Sequence, residues 1–330
     1  MSFWRAIMLK PLCAVIVCST ALFGMMMPPG VYGVPMPSSL RMDYTEYNQL
    51  SIVLKKFGWL EQEFKADNLP VSWIYRGKGE DGIKYLAKGT VDFVSVDALG
   101  AFISKANGHP VKTVYMFSRP EWTMLLVTRD SPYNSLVELK GKKIAALTES
   151  YPWYFLLRAL HKSGLRKGDV TILPLQLPDG RTALEELRVD AWVGAEPFIA
   201  TSRLESGFRA IYRNPEYNSS GFLNTTEAFA AKYPEVVARV VRIYEMVRKW
   251  AIRHPDELAE IYADETGISL PVAQLIISQI DLSRPLPNRS DLKILMDAAP
   301  LLEAEKLIKQ GTAVERVVGD LVDFSYLTQK

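Results

Sequence analysis

The chain has 330 residues, 48% hydrophobic and 23% charged, which is material for about two domains with buried cores. Its 39 basic and 37 acidic residues leave a net charge of +2 with no basic run, so a nucleic-acid partner is not expected. Both cysteines, Cys13 and Cys18, fall near the N-terminus, and His109, His161 and His254 lack metal-ligand spacing. Beyond the first 33 residues there is thus no thiolate nucleophile, disulfide or cysteine-held metal, and neither cofactor nor metal is expected.

Residues 1–33 read as a leader. Arg5 and Lys10 make a basic start, the stretch 11–27 is nearly uncharged, and a Pro-rich segment follows with a cut site after Gly33. This predicts export, to the periplasm or another extracytoplasmic place. The other reading is a retained membrane anchor, with Cys18 as a lipid-attachment position, although the apolar run is short for a span of about 20 residues.

Leu40 to Tyr44 alternates and predicts a strand. Leu50, Val53, Leu54 and Phe57 share one helix face, and Gly58 ends it. Strands are predicted at 71–75, 91–96 and 111–116, with helices at 80–88 and 98–106. Trp122 to Thr128 is a long apolar strand and the first passage between lobes. The second lobe reads as strands at 143–147, 170–174, 191–194 and 208–212 with helices at 153–163, 181–187 and 197–205. The chain returns at Gly221-Phe222-Leu223. Helices follow at 235–253, 255–263, 270–280 and 291–310. Alternating strands and helices predict an α/β chain with parallel sheets. The C-terminal helices must pack on the first lobe or brace the two.

The order repeats. Gly89-Thr90-Val91-Asp92-Phe93 and Arg188-Val189-Asp190-Ala191-Trp192 each follow a strand, a loop and a short helix. Tyr44-Thr45-Glu46-Tyr47 and Leu147-Thr148-Glu149-Ser150-Tyr151 each lead into a helix that ends in Gly. Two similar lobes make a cleft, and ligands bind beyond the carboxyl ends of strands. That rule selects Tyr44, Glu46, Tyr47, Asp97, Thr148, Glu149, Tyr151 and Glu196, and the crossing strand adds Trp122. Helix N-termini behind these loops favour an anion. Four carboxylates among aromatic rings favour an amine or nitrogen heterocycle. Both chemistries stay open.

From about Leu40 onward the chain resembles substrate-binding proteins of ABC transporters, of the aliphatic-sulfonate and thiamine-pyrimidine type. The resemblance rests on 86–93 (Leu-Ala-Lys-Gly-Thr-Val-Asp-Phe), Asp130-Ser131-Pro132, 136–144, Val189-Asp190-Ala191-Trp192 with Glu196-Pro197-Phe198, 229–237 and His254-Pro255-Asp256-Glu257. It implies a type II periplasmic binding protein fold: two Rossmann-like lobes, a two-crossing hinge and extra C-terminal helices. The divisions expected are 1–33 leader, 40–126 first lobe, 127–218 second lobe, and 219–330 return and C-terminal helices. Carried over by position, Trp192 joins the residues facing ligand. The implied partners are a small organic solute, sulfonate- or pyrimidine-like, and a membrane permease, with the protein a monomer. Glu46, Glu149, Tyr151 and Trp153 replace the small uncharged loop residues of the sulfonate binders, which keeps a nitrogenous ligand open. The fold also serves enzymes of pyrimidine synthesis and of C–S cleavage, and here Glu46 or Glu149 would be the general base. A ligand sensor is the third reading.

Overall fold

A computed structural model describes residues 35–77, 82–148 and 150–327. The expected leader, with Cys13 and Cys18, lies outside the described residues, as does Glu149. The chain begins with β1 (Leu40–Tyr44), α1 (Gln49–Phe57), α2 (Trp59–Phe64), β2 (Val71–Tyr75), α3 (Gly82–Ala87), β3 (Val94–Asp97), α4 (Ala98–Ala106) and β4 (Val111–Pro120). It continues with β5 (Thr123–Val127), β6 (Lys143–Ala146), α5 (Tyr151–Lys162), β7 (Thr171–Pro174), α6 (Leu177–Glu185), β8 (Ala191–Ala195), α7 (Phe198–Glu205) and β9 (Arg209–Tyr212). The last part holds β10 (Gly221–Thr226), α8 (Glu227–Lys232), α9 (Pro234–Arg253), α10 (Pro255–Thr266), α11 (Leu270–Ser278), β11 (Ile280–Asp281), α12 (Arg289–Ala304) and α13 (Val314–Leu321).

Local chemistry sets these elements. The apolar stripe of α1 ends at Gly58, whose φ of 63° closes the helix by donating its N–H to the carbonyls of Leu54 and Lys55. The chain then turns at once into α2, which periodicity alone did not predict. In the second lobe Gly180 and Gly194 make room for one ring. A Cβ on Gly180 would lie 2.6 Å from Trp192 Cδ1, and one on Gly194 would lie 2.8 Å from Trp192 Cη2.

The first lobe joins a parallel pair, β1–β2, to a sheet of order β11-β4-β10-β3 through a parallel bridge between Met42 and Phe93. The second lobe is one sheet of order β7-β6-β8-β5-β9. The expectation of parallel sheets holds for β1–β2 and for β7–β6–β8, and fails elsewhere. β10 runs antiparallel to β3 and β4, and β5 antiparallel to β8 and β9. These are the strands that arrive from the other lobe. They enter without a helical crossover, and so need not be parallel.

The boundary expected at 126/127 falls inside β5. Thr123 pairs with Ala195 of the second sheet, so the first passage is at Glu121–Trp122. The return passage is the segment between β9 and β10. Helices α9, α10 and α11 pack with β1, β4 and β10 around Tyr115, Tyr244 and Tyr262. Helices α12 and α13 share a second core with α4. The long last helix expected over 291–310 is in fact α12, with Pro300 inside it, followed by the separate α13. Among the described residues no helix is long and apolar enough to cross a membrane.

Candidate ligand-binding site

A cavity of about 680 Å³ is lined from both lobes. The first lobe supplies Tyr47, Arg76, Ser95 and the head of α4 from Asp97. The second supplies Ser150, Tyr151 and Pro152 at the head of α5, and Glu196 and Phe198 after β8. Trp122 stands at the passage between them.

The floor on the first lobe is a polar network set by strand alternation. Leu40 and Met42 of β1 point into the core, so Asp43 points the other way. Its carboxylate is only 1% exposed. It accepts from Arg76 Nε at 3.0 Å and from both the backbone N–H and the hydroxyl of Ser95 at 2.9 Å. Arg76 also donates to the Ser95 carbonyl. Asn48 Nδ2 donates to Ser95 Oγ at 2.8 Å, while Asn48 Oδ1 caps α1 at Ser51 N, 3.2 Å. Such a buried pair is sustained by further hydrogen bonds, which Ser95 supplies to both partners.

Asp97 caps α4. Its Oδ1 accepts from Leu99 N at 3.0 Å and from Gly100 N at 3.1 Å. Burial pushes its pKa up, against these hydrogen bonds and one from Ser219. Its charge is thus committed to the helix. Tyr47 packs edge-on to Trp122 with centroids 6.0 Å apart, and burial, with the charge of Glu46, pushes its hydroxyl up to about 12. The indole N–H of Trp122 has no protein acceptor among the described residues.

On the second lobe, Ser150 Oγ caps α5 at Trp153 N, 3.5 Å. The Tyr151 hydroxyl donates to the Tyr217 carbonyl at 2.7 Å and accepts from Ser219 N at 2.9 Å, which ties α5 to the return passage. Glu196 is 5% exposed. Its Oε2 accepts from Ala200 N at 2.9 Å at the head of α7, and its Oε1 accepts from Gln279 Nε2 of the first lobe at 3.2 Å. Burial pushes Glu196 up to about 7, against those two hydrogen bonds.

Of the residues expected to face ligand, the cavity brings together Tyr47, Asp97, Trp122, Tyr151 and Glu196. Four described ones it does not. Tyr44 has the parity of Leu40 and Met42, so it packs on Trp73 and Tyr75 with Lys55 Nζ 4.4 Å from its ring centre. Glu46 is 4% exposed and borders a separate hole of about 10 Å³ with Gln49, Tyr262 and Gln279. Trp192, 1% exposed, lies in the core under α6, where the alternation of β8 sends it. Thr148 is half-buried in its loop and does not line the cavity.

With that geometry in place, likeness to known proteins becomes informative. Residues 58–258 match the family described as NMT1/THI5 like. The chain belongs to that family. A protein of Bacillus subtilis (strain 168) named for binding aliphatic sulfonates is 26% identical over 270 residues, 81% of each chain. The periplasmic aliphatic sulphonate binding protein SsuA from Escherichia coli superposes with a TM-score of 0.78 at 22% identity, covering 85% of this chain and 92% of that one. A desulfurization enzyme, DszB, superposes with a TM-score of 0.69 at 14% identity, covering 88% and 98%. At such identities the structural likeness is one of fold, the type II periplasmic binding protein fold.

Within this family member, sequence reasoning missed Arg76, which with Ser95 forms the cleft floor, and Lys84, which borders it. A signal existed for the first: Asp43 is an acid inside an apolar strand, and such an acid needs a buried cation. The cleft therefore joins Arg76, Lys84 and the head of α5 on the polar side to aromatic rings on the other, while Asp97 occupies the head of α4. That arrangement suits an organic anion with an apolar part.

Proposed function

We propose that this protein is the exported solute-binding component of an ABC importer, and that it captures a small organic anion of the sulfonate type between its lobes. The observation that carries this is the cavity of about 680 Å³ between the lobes, where the head of α5 and the side chains of Arg76 and Lys84 reach the wall, the head of α4 having Asp97 as its own acceptor. Family membership and the sulfonate-binding relatives support it. The acids that favoured an amine weigh less once placed. Asp97 serves its helix, Glu196 takes up a proton near neutrality, and Glu46 faces another hole. That placement also supports binding rather than turnover, because Glu46 would be a general base with room beside it for roughly one water.

In this reading the lobes hinge at Glu121–Trp122 and at the return passage, close on the solute, and the closed monomer docks on a permease outside the cytoplasm. The test is a melting and small-angle scattering screen. A sulfonate at about 100 times its Kd stabilises the native state by about 2.7 kcal/mol, so the melting temperature rises and the radius of gyration falls. A panel of sulfonates, amines and pyrimidines that moves neither quantity overturns the proposal.

A further inference from the structure

Glu196 stands where the lobes meet, and both partners of its carboxyl are donors. Its backbone N–H donates to the Trp122 carbonyl at 3.0 Å, which extends the pairing of β5 with β8 and sets the two side chains on one face. Oε2 accepts from Ala200 N at 2.9 Å, and Oε1 accepts from Gln279 Nε2 at 3.2 Å. The Gln279 amide is held that way round, because Arg203 Nη1 donates to its oxygen at 3.1 Å. A neutral carboxyl keeps both of these bonds and has one O–H left to give. Before it lie the cleft and the hole of about 10 Å³, and Glu196 borders both. Trp122 borders both as well, and its indole N–H has no protein acceptor among the described residues. A neutral Glu196 and Trp122 thus present two adjacent donors on one wall of the cleft.

We infer that Glu196 enters the complex as a neutral acid, donating its O–H to an anionic oxygen beside the Trp122 N–H, so that each anion is taken up with one proton. This rests on the anion-binding reading above and adds how that site is regulated. Ionised, the same carboxyl would repel the anion. Burial already brings Glu196 up to about 7, so the switch falls near neutrality. Its charged neighbours are otherwise engaged: Arg203 by Gln279, and Glu121 by Arg213 Nε at 3.0 Å. Burial keeps Tyr47 and Tyr262 protonated far above neutrality. Glu46 borders the hole from the first lobe and is a rival for the proton. Across the cleft stand Arg76, paired with Asp43, Asp97, which caps α4, and then Lys84 and His109. An imidazole also changes charge near neutrality, so His109 needs a control.

The experiment is calorimetric titration of the full chain with methane-, ethane- and butane-1-sulfonate between about pH 5.5 and 9, a range in which a sulfonate keeps its charge. Affinity should be level below about pH 6 and fall towards tenfold per pH unit above about 7. Buffers of different ionisation enthalpy should count about one proton taken up per anion at about pH 8, and about none at about pH 5.5. Glu196→Gln carries an amide that donates at every pH, so its profile should be level and its proton uptake nil. If that variant misfolds, the proton count on the natural protein decides alone. Glu46→Gln and His109→Gln should each keep the slope. A level profile in the natural protein, a slope that survives Glu196→Gln, or one that vanishes with Glu46→Gln or His109→Gln overturns the inference and leaves anion binding standing. Silence from all three sulfonates at every pH overturns both.

Discussion

The loops paired by the internal repeat, 44–48 in the first lobe and 147–151 in the second, have come to differ. In the first, Thr45, Glu46 and Asn48 are buried, and Asn48 Nδ2 reaches Tyr244 Oη on α9 at 3.4 Å. In the second, Leu147, Ser150 and Tyr151 are half-buried and line the cavity. The C-terminal helices explain this. α9, α10 and α11 pack on the first lobe, with the end of α11 also meeting α7 through Gln279, and turn the first loop into packed floor. The second loop has no such cover, so its side chains are left to the cleft and to the hinge.

That contrast is most strongly challenged under the first loop. Arg76→Met leaves Asp43 buried and unpaired, and should cost about 3–5 kcal/mol, read as a lower urea midpoint with unchanged slope. Adding Asp43→Asn should recover part of the loss. A cost below about 1 kcal/mol would show that the floor is no tighter than its counterpart.

Glu196, where the lobes meet, comes next. Its carboxyl moves from an ordinary 4.5 to about 7, so the folded state binds the proton more tightly. The stabilisation is complete below about 4.5 and is lost as pH rises through about 7, a span worth of the order of 3 kcal/mol. Glu196→Gln should flatten the melting temperature between pH 5 and 8, with its largest gain over the natural protein at the alkaline end. An unchanged slope would place the titrating group elsewhere.

The helix caps give a smaller and more direct comparison. Asn48→Ala removes a cap and a buried bond to Ser95, and should cost about 2 kcal/mol. Tyr151→Phe leaves the Ser219 N–H and the Tyr217 carbonyl without their partner, and should cost about 1–2 kcal/mol. Ser150→Ala removes a long cap and a bond to the Leu147 carbonyl in a half-exposed loop, for about 1 kcal/mol. Equal losses at Asn48 and Ser150 in chemical unfolding would sink the idea that the two loops are differently held.

Much of the fold was legible because its signals are local. Gly58, the α1 stripe, the alternation in β1 and the Asn107-Gly108 turn each act over a few residues, and each structure formed where expected. The repeat was legible too, since both lobes follow one order, with the strand from the other lobe placed antiparallel in each sheet. The site was half legible. The rule of strand ends picked Tyr47, Asp97, Tyr151 and Glu196, which line the cavity, but it also chose Tyr44, and the resemblance added Trp192; parity sends both of these into packing. Arg76 went unseen because its partner Asp43 lies 33 positions away.

Taken alone, the sequence determined the element order, the two lobes, the strand ends from which a cleft would be built and the resemblance to a binding-protein family. These follow from periodicity, punctuation and repetition along the chain. Only the tertiary structure decided which strand-end side chains see the cleft, that Asp97 spends its charge on α4, and that Glu196 spans the lobes to Gln279. Those outcomes depend on which helix covers which loop, and on burial that changes what a carboxylate can be. Residues far apart in sequence settle both.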